Sequence, residues 1–155
     1  MSRETWDYLV VTASREAQAD AYRSQLGLRK ELGLVQDVRN VLVVPDPGGR
    51  RVGSGGSTIH SLLQVLGREL AGRPDPFDRG AWLGLLGELR ILIVHAGGDS
   101  RRVPAYGPCG KVFIPVPGDS DRALGTSLLD RQLPVYLGLP APGPGRGQVV
   151  ITSGD

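Results

Sequence analysis

Two glycine-rich segments contain the residues of this sequence that could bind a phosphorylated ligand. The first lies between a run of β-branched residues and a helix-patterned segment, and it consists of Gly53, Ser54, Gly55, Gly56, Ser57 and Thr58. Glycines at such a place let backbone N–H groups approach a phosphate or a nucleobase, and the following helix N-terminus adds free donors. We expect this segment to bind a nucleotide. A glycine-rich kinase loop and a purely structural loop capped by Ser57 are the alternatives.

This first segment matches neither of the two common phosphate-binding motifs. Thr58 stands where the dinucleotide fingerprint has its third glycine, and the Gly-Lys-Ser/Thr end of a P-loop is missing. Its chemistry therefore has to be inferred from position alone.

The second segment follows a buried apolar run and extends from His95 to Lys111. Gly97 and Gly98 allow the backbone to approach a triphosphate closely, and Arg102 can bridge phosphate oxygens. Lys111 offers a compact positive charge to an anion that develops during a reaction. We assign the intervening residues to the same nucleotide-binding stretch: Asp99, Ser100 and Arg101. The alternative is a solvated loop with a charged doublet.

Four apolar runs predict the strands that position these segments. They are Asp7–Thr12, Val41–Val44, Arg90–Val94 and Val149–Thr152. Because the runs are continuous rather than alternating, they predict a mostly parallel sheet that is covered on both faces. Ligands of such sheets sit at the carboxyl ends of the strands, and both glycine-rich segments follow a strand.

Helical periodicity separates these strands. A helix is expected from Ser14, as N-cap, to Leu26, with Gly27 ending it. A second helix should begin at Ser57 and bury a stripe of apolar residues: Ile59, Leu62, Leu63, Leu66 and Leu70. Further expectations are a helix over Trp82–Leu89, a short strand at Val112–Ile114, and a helix from Thr126 that Pro134 kinks or ends.

Composition is typical of one soluble domain of 155 residues, with 40% hydrophobic and 22% charged residues. No apolar run is long enough to span a membrane, and no signal peptide is recognisable, so we expect a cytoplasmic protein without a membrane partner. The single cysteine, Cys109, excludes an intramolecular disulfide and a cysteine-based zinc site. Scattered arginines and only 5% aromatic residues argue against a nucleic-acid partner.

The same segments carry a family resemblance. The second segment is similar to the signature of sugar-nucleotide pyrophosphorylases, Gly-Gly-x-Gly-Thr-Arg followed by a lysine, and Gly97, Gly98, Arg102 and Lys111 match it. The sequence departs from that signature at three positions: Ser100, Arg101 and Gly110. Taken together, Val52–Thr58 and His95–Tyr106 resemble the GDP-fucose pyrophosphorylases, guanylyltransferases that also occur fused to L-fucokinase.

This resemblance implies a three-layer α/β fold of the Rossmann-like nucleotide-diphospho-sugar transferase type, incomplete and with a permuted order of motifs. It implies transfer of GMP from GTP to a sugar 1-phosphate, most directly fucose 1-phosphate, with release of pyrophosphate. Arg102 and Lys111 would be catalytic, and Mg²⁺ would be the cofactor with Asp155 as its ligand. In a permuted order, the Gly53 segment contacts guanine or ribose, and it has to lie beside the Gly97 segment.

Residues 1–155 are expected to form a single nucleotide-binding domain or the N-terminal fragment of a larger guanylyltransferase. If the chain is such an N-terminal fragment, its partner is the missing C-terminal part of the same enzyme. The isolated chain is then expected to be inactive, and its sheet is expected to leave an exposed hydrophobic edge or face. Two other functions are open at this point. They are a sugar kinase of the L-fucokinase type that holds ATP on the Gly53 segment, and a non-catalytic nucleotide-binding module.

Overall fold

A computed structural model of the chain describes residues 5–75, 78–98, 110–117 and 126–154. The strands are β1 Trp6–Ala13, β2 Val38–Pro45, β3 Arg90–His95 and β4 Gln148–Ser153. The helices are α1 Glu16–Glu31, α2 Gly53–Glu69, α3 Arg79–Leu86 and α4 Leu128–Leu137. Two single 3₁₀ turns lie at Pro47–Gly49 and Lys111–Phe113.

The four strands form one parallel sheet in the order β2-β1-β3-β4. Val11 of β1 is paired with Val43 of β2 on one side and with Val94 of β3 on the other. The prediction of a parallel sheet is therefore confirmed. The four strands predicted from apolar runs are all present, and each is longer than its run by one to four residues.

Helices cover both faces of the sheet and make a three-layer α/β structure. On one face, α1 and α4 bury Leu26 and Leu129 against Leu9 and Leu92 of the central strands. On the other face, Val65 of α2 packs against a second cluster formed by alternate residues of the same strands: Tyr8, Val10, Ile91 and Ile93. Successive side chains of a strand point to opposite faces, so strands buried on both sides have to be apolar throughout.

Helix α1 differs from its predicted limits at both ends. Arg15 is the N-cap, because the Ser14 hydroxyl donates instead to the side-chain oxygen of Gln18 at 3.0 Å. Gly27 does not end the helix, which runs on to Glu31, and the residue with positive φ is Gly33 at 71°. The helix continues because the turn after Gly27 contains Arg29, a buried arginine that forms an ion pair with Asp130.

Helix α2 begins four residues before its predicted N-cap. Ser57 is buried inside the helix, which starts at Gly53. The predicted apolar stripe is correct for Leu66 and Leu70, which are buried, whereas Ile59 is 62% exposed and Leu63 also faces outwards. The inward face is formed by a row that includes two serines and therefore did not stand out as apolar: Ser57, Ser61 and Val65.

The segment before α4 was predicted as a short strand at Val112–Ile114, and that prediction is wrong. Val112 and Phe113 are buried, but in a 3₁₀ turn. Pro134 neither kinks α4 into two pieces nor ends it. The helix continues to Leu137 with the proline ring on its exposed side, and its start is fixed by a capping box between Ser127 and Asp130.

A buried ion pair joins the first half of the chain to the second. The Arg29 guanidinium donates to both carboxylate oxygens of Asp130 at 2.7 and 2.8 Å, and the two side chains are only 4% and 7% exposed. The guanidinium also lies 4.9 Å from the centre of the Phe113 ring. Burial acts to raise the pKa of Asp130, but hydrogen bonds from Arg29 and Ser127 outweigh it and hold the pKa below its usual value.

Strand β4 is at one end of the described sheet, and its outer face is only partly covered. Ile151 is 53% exposed and Val149 is exposed as well, beside the buried Ile93 and Ile91 of β3. The expected hydrophobic edge is therefore present. Within the described ranges, no helix is both long enough and apolar enough to cross a membrane.

We expect Asp130→Asn to lower the free energy of unfolding by about 3 kcal/mol at pH 7, because it leaves the Arg29 charge buried without its counterion. The folded-state pKa of Asp130 is depressed, so the ion pair stabilises the fold above the unfolded-state pKa near 4 and is lost as the pH falls below it. Denaturant unfolding should therefore show the difference between the two proteins shrinking below about pH 4.

The matched control is Asp20→Asn, which removes an aspartate paired with Arg23 on the exposed side of α1. This change should lower the free energy of unfolding by no more than about 0.5 kcal/mol. Equal losses of unfolding free energy in the two variants would contradict the larger contribution expected from the buried ion pair.

Candidate functional site

A cleft of about 200 Å³ lies where the carboxyl ends of β1, β2 and β3 meet the start of α2. The chain leaves β1 towards β2 on one side of the sheet and later returns to form β3 on the other. Strands on either side of such a switch point diverge at their ends and leave room for a ligand. The residues that line the cleft come from all these elements: Thr12, Ser14, Asp46, Arg51, Gly53, Ser54, Ser57, His95, Gly97 and Gly98.

The two predicted glycine-rich segments therefore lie side by side, as the permuted order requires. Gly53, Ser54 and Ser57 of the first segment and Gly97 and Gly98 of the second line this one cleft. A placement on opposite edges of the sheet would have contradicted the hypothesis of a permuted order.

The first segment is helical instead of forming a loop, and its glycines differ in their roles. Gly53 has φ of +71°, a conformation that turns the chain into α2 and that other residues rarely adopt. No side chain caps this helix end, so its first N–H groups are available at the rim of the cleft. Gly56 serves packing, because a Cβ there would lie 2.8 Å from Val52 Cβ, whereas Gly55 faces empty space outside the cleft.

The end of β3 is held against the end of β1 by one buried hydroxyl. Thr12 Oγ1 accepts the N–H groups of Ala96 at 3.1 Å and of Gly97 at 3.4 Å. An added Cβ on Gly97 would be 3.4 Å from the backbone of Ala13 and Ser14, so this glycine lies in direct contact with the end of β1. Gly98 has φ of +142° and no neighbour within 4 Å of a Cβ position.

His95 and Thr58 join the two segments directly. The Thr58 hydroxyl donates to the Ser54 carbonyl at 2.9 Å and lies 2.8 Å from His95 Nε2. Since a hydroxyl has one hydrogen and here gives it to Ser54, the imidazole has to donate, which assigns the proton of a neutral ring to Nε2. Burial lowers the pKa of His95, although the negative charge of Asp46 opposes this.

Lys111 lies near the end of β3 but does not line the cleft. Gly110 precedes it with φ of +62°, and a side chain there would collide with the Tyr22 hydroxyl. That hydroxyl donates to the Ala96 carbonyl at 3.1 Å, and burial raises its pKa to about 12. The backbone before Lys111 is thus packed, through Tyr22, against the residue that follows β3.

Gly154 reaches the same place from the end of β4. Its N–H donates to the His95 carbonyl at 2.9 Å, and a Cβ there would overlap Val112 and the β3 backbone. Asp155 follows directly in the sequence. The remaining predicted site residues lie outside the described part of the chain: Asp99, Ser100, Arg101, Arg102 and Asp155.

Four lining residues were not identified from the sequence. Thr12 is the last residue of the predicted run of β1 and Ser14 follows that run, whereas Asp46 and Arg51 follow the run of β2. The one available signal was their position just beyond a predicted strand, where parallel sheets bind ligands. His95, the first residue of the second segment, also lines the cleft and contacts Thr58.

Comparison with known proteins agrees with the family resemblance of the motifs. A family model described as the fucose pyrophosphorylase domain matches residues 84–155. The bifunctional fucokinase/GDP-fucose pyrophosphorylase of Arabidopsis thaliana is 38% identical over 73% of the chain, and the L-fucokinase/L-fucose-1-P guanylyltransferase of Bacteroides fragilis is 42% identical over 71%. The fucose-1-phosphate guanylyltransferase of Mus musculus is 33% identical over 98% of the chain.

The chain covers only part of each relative. It spans 11% of the plant and bacterial proteins and 23% of the mouse protein. No solved structure matches the chain significantly. The relationship is therefore one of sequence, and the Rossmann-like detail of the fold stays a prediction.

We expect ¹⁵N NMR of the imidazole to show His95 as the neutral Nε2–H tautomer at pH 7, titrating below the ordinary histidine range near 6.5. Thr58→Val keeps the shape of the side chain but removes the hydroxyl that fixes the ring, so the population of this tautomer should fall to that of an unconstrained histidine. An Nδ1–H tautomer in the unmodified protein would contradict the assigned hydrogen bond.

Proposed function

Because the chain matches the fucose pyrophosphorylase domain and its homologues are fucose-1-phosphate guanylyltransferases, we propose that it forms the GTP-binding part of such an enzyme. The observation that carries the proposal is the cleft at the switch point. There the uncapped start of α2 and the Gly97-Gly98 backbone line one cavity, an arrangement suited to a nucleotide whose phosphates accept backbone N–H donors.

The proposed reaction is displacement at the α-phosphorus of GTP. A phosphate oxygen of fucose 1-phosphate forms the new bond to this phosphorus, the bond to the bridging oxygen of the β-phosphate breaks, and pyrophosphate leaves with the electron pair. The attacking oxygen already carries negative charge and needs no general base. The protein contributes alignment and stabilisation of charge.

Positive charge for this step is assigned to Arg102 and Lys111. Of the two, Lys111 belongs to the described residues, and its backbone is fixed near the cleft by Gly110 against Tyr22. The Tyr22 hydroxyl in turn donates to the carbonyl of Ala96, which directly follows β3. A lysine suits this task because its compact ammonium group can approach a single oxygen whose charge grows as pyrophosphate leaves.

Mg²⁺ belongs to the same proposal. The described residues contain no cluster of three or more potential metal ligands, which fits a cation held mainly by phosphate oxygens and one or two carboxylates. Asp155 is the proposed ligand, and its chain neighbour Gly154 is fixed at the end of β3 by its hydrogen bond to His95. When bound, the cation would neutralise phosphate charge.

The kinase alternative has less support for this part of the chain. The plant and bacterial relatives carry both activities in their names, but the mouse relative is named for the guanylyltransferase alone and still matches 98% of the chain. A segment that occurs both in the bifunctional proteins and in the guanylyltransferase is expected to serve the activity that all three names include, which is the guanylyltransferase.

Titration calorimetry of the protein with GTP, ATP and UTP in the presence of Mg²⁺ tests the proposal. We expect measurable binding of GTP and weaker binding of the other two. Preference for ATP, together with phosphate transfer to fucose and release of ADP, would support the kinase instead. Failure to bind any nucleotide would refute the proposed function.

In the complete enzyme, Lys111→Ala should slow pyrophosphate release from GTP and fucose 1-phosphate by about 100-fold, the scale expected for losing one preorganised charged donor. Lys111→Arg should restore little of this rate, because a planar forked cation does not replace a compact one. The chain has one other lysine, Lys30, exposed in the last turn of α1, so Lys30→Ala is the matched control and should keep the full rate. Equal rates for both alanine variants would remove Lys111 from the site.

A further inference from the structure

Asp46 is a carboxylate in the cleft to which the sequence assigned no role. It follows β2, and its N–H donates to the Ala13 carbonyl at 2.8 Å, which fixes it beside the end of β1. The residue is half-buried, and it is the only acidic residue among the described residues that line the cleft.

The Asp46 carboxylate has no hydrogen-bond or ion-pair partner within the part of the chain that the structure describes. A half-buried carboxylate gains stability when N–H or O–H donors reach it. In the proposed complex the phosphates are negative and would be repelled by it, which favours a position of Asp46 beside the uncharged base of the nucleotide.

The possible nucleotides differ in the hydrogen-bond donors that their bases present to a carboxylate. Guanine carries N1–H and the N2 amino group next to each other on one edge, and a carboxylate can accept from both at once. Adenine has an acceptor at N1 on the corresponding edge, and this acceptor would face the carboxylate unfavourably. Uracil has a single N3–H donor between two carbonyls.

We infer that Asp46 selects guanine in this cleft by accepting hydrogen bonds from N1–H and the N2 amino group. The inference rests on the proposed function, because it names the group that distinguishes the base of the bound nucleotide. It also accounts for the position of Asp46 beside the first residues of α2, the segment that the permuted order assigns to the base or ribose.

The test compares the affinities of GTP, ITP, XTP and ATP for the protein and for Asp46→Asn. ITP lacks the 2-amino group, and XTP has a carbonyl in its place. Asp46→Asn should weaken GTP binding by about 10-fold or more, the scale of one lost bidentate contact to a base. It should weaken ITP binding less, leave ATP binding no weaker, and strengthen XTP binding, because the amide can donate to the xanthine carbonyl.

The loss of the Asp46 charge has the opposite effect on GTP binding from the loss of its hydrogen bonds, so the two causes can be told apart. Removing a negative charge near a triphosphate should by itself strengthen the binding of every nucleotide. Glu88→Gln, at an exposed position away from the cleft, removes the same charge and should leave all four affinities unchanged. Thermal melting of each variant establishes that it is folded, and Asp46→Ser serves as a second variant that should also lose GTP affinity.

The outcomes separate the inference from the function on which it rests. Unchanged GTP affinity in folded Asp46→Asn overturns the inference and leaves the proposed function standing. Equal losses for GTP, ITP and ATP also overturn it, since they place Asp46 at the ribose or the metal. If the unmodified protein binds none of the four nucleotides, the proposed function itself fails.

Discussion

The hydroxyl of Thr12 holds together the two central strands at the point where they part, and the rest of the structure depends on this junction. The ladder between β1 and β3 ends at Val11 and Val94, and Thr12 extends it by accepting the N–H groups of Ala96 and Gly97. Beyond this contact the chain turns into α1 from one strand and towards the Gly97 backbone from the other. The cleft is the space that this divergence leaves.

The cleft is lined by groups of different chemical character. Backbone N–H donors at the start of α2 and glycines after β3 provide a surface suited to phosphates, whereas Asp46 places a negative charge after β2. His95 lines the same cleft and is hydrogen-bonded to Thr58. The proposed roles, GTP binding and selection of guanine, thus use different parts of one cavity.

The second half of the chain is held in place by side chains of α1. Arg29 pairs with Asp130 of α4 and lies over the Phe113 ring, while Tyr22 packs edge-on against the same ring at 5.1 Å. The 3₁₀ turn that begins with Lys111 is therefore positioned by α1. This packing joins the region that matches the fucose pyrophosphorylase domain to residues that precede it in the chain.

The sequence by itself determined the sheet, its parallel direction and the meeting of the two glycine-rich segments, because strands buried on both faces need continuous apolar runs and parallel strands end at one edge. Tertiary structure decided what depends on distant partners. Helix α1 passes Gly27 because Arg29 pairs with Asp130, about a hundred residues away. The exposure of Ile59 and the place of Asp46 in the cleft likewise follow from how elements are arranged in space, which no local pattern encodes.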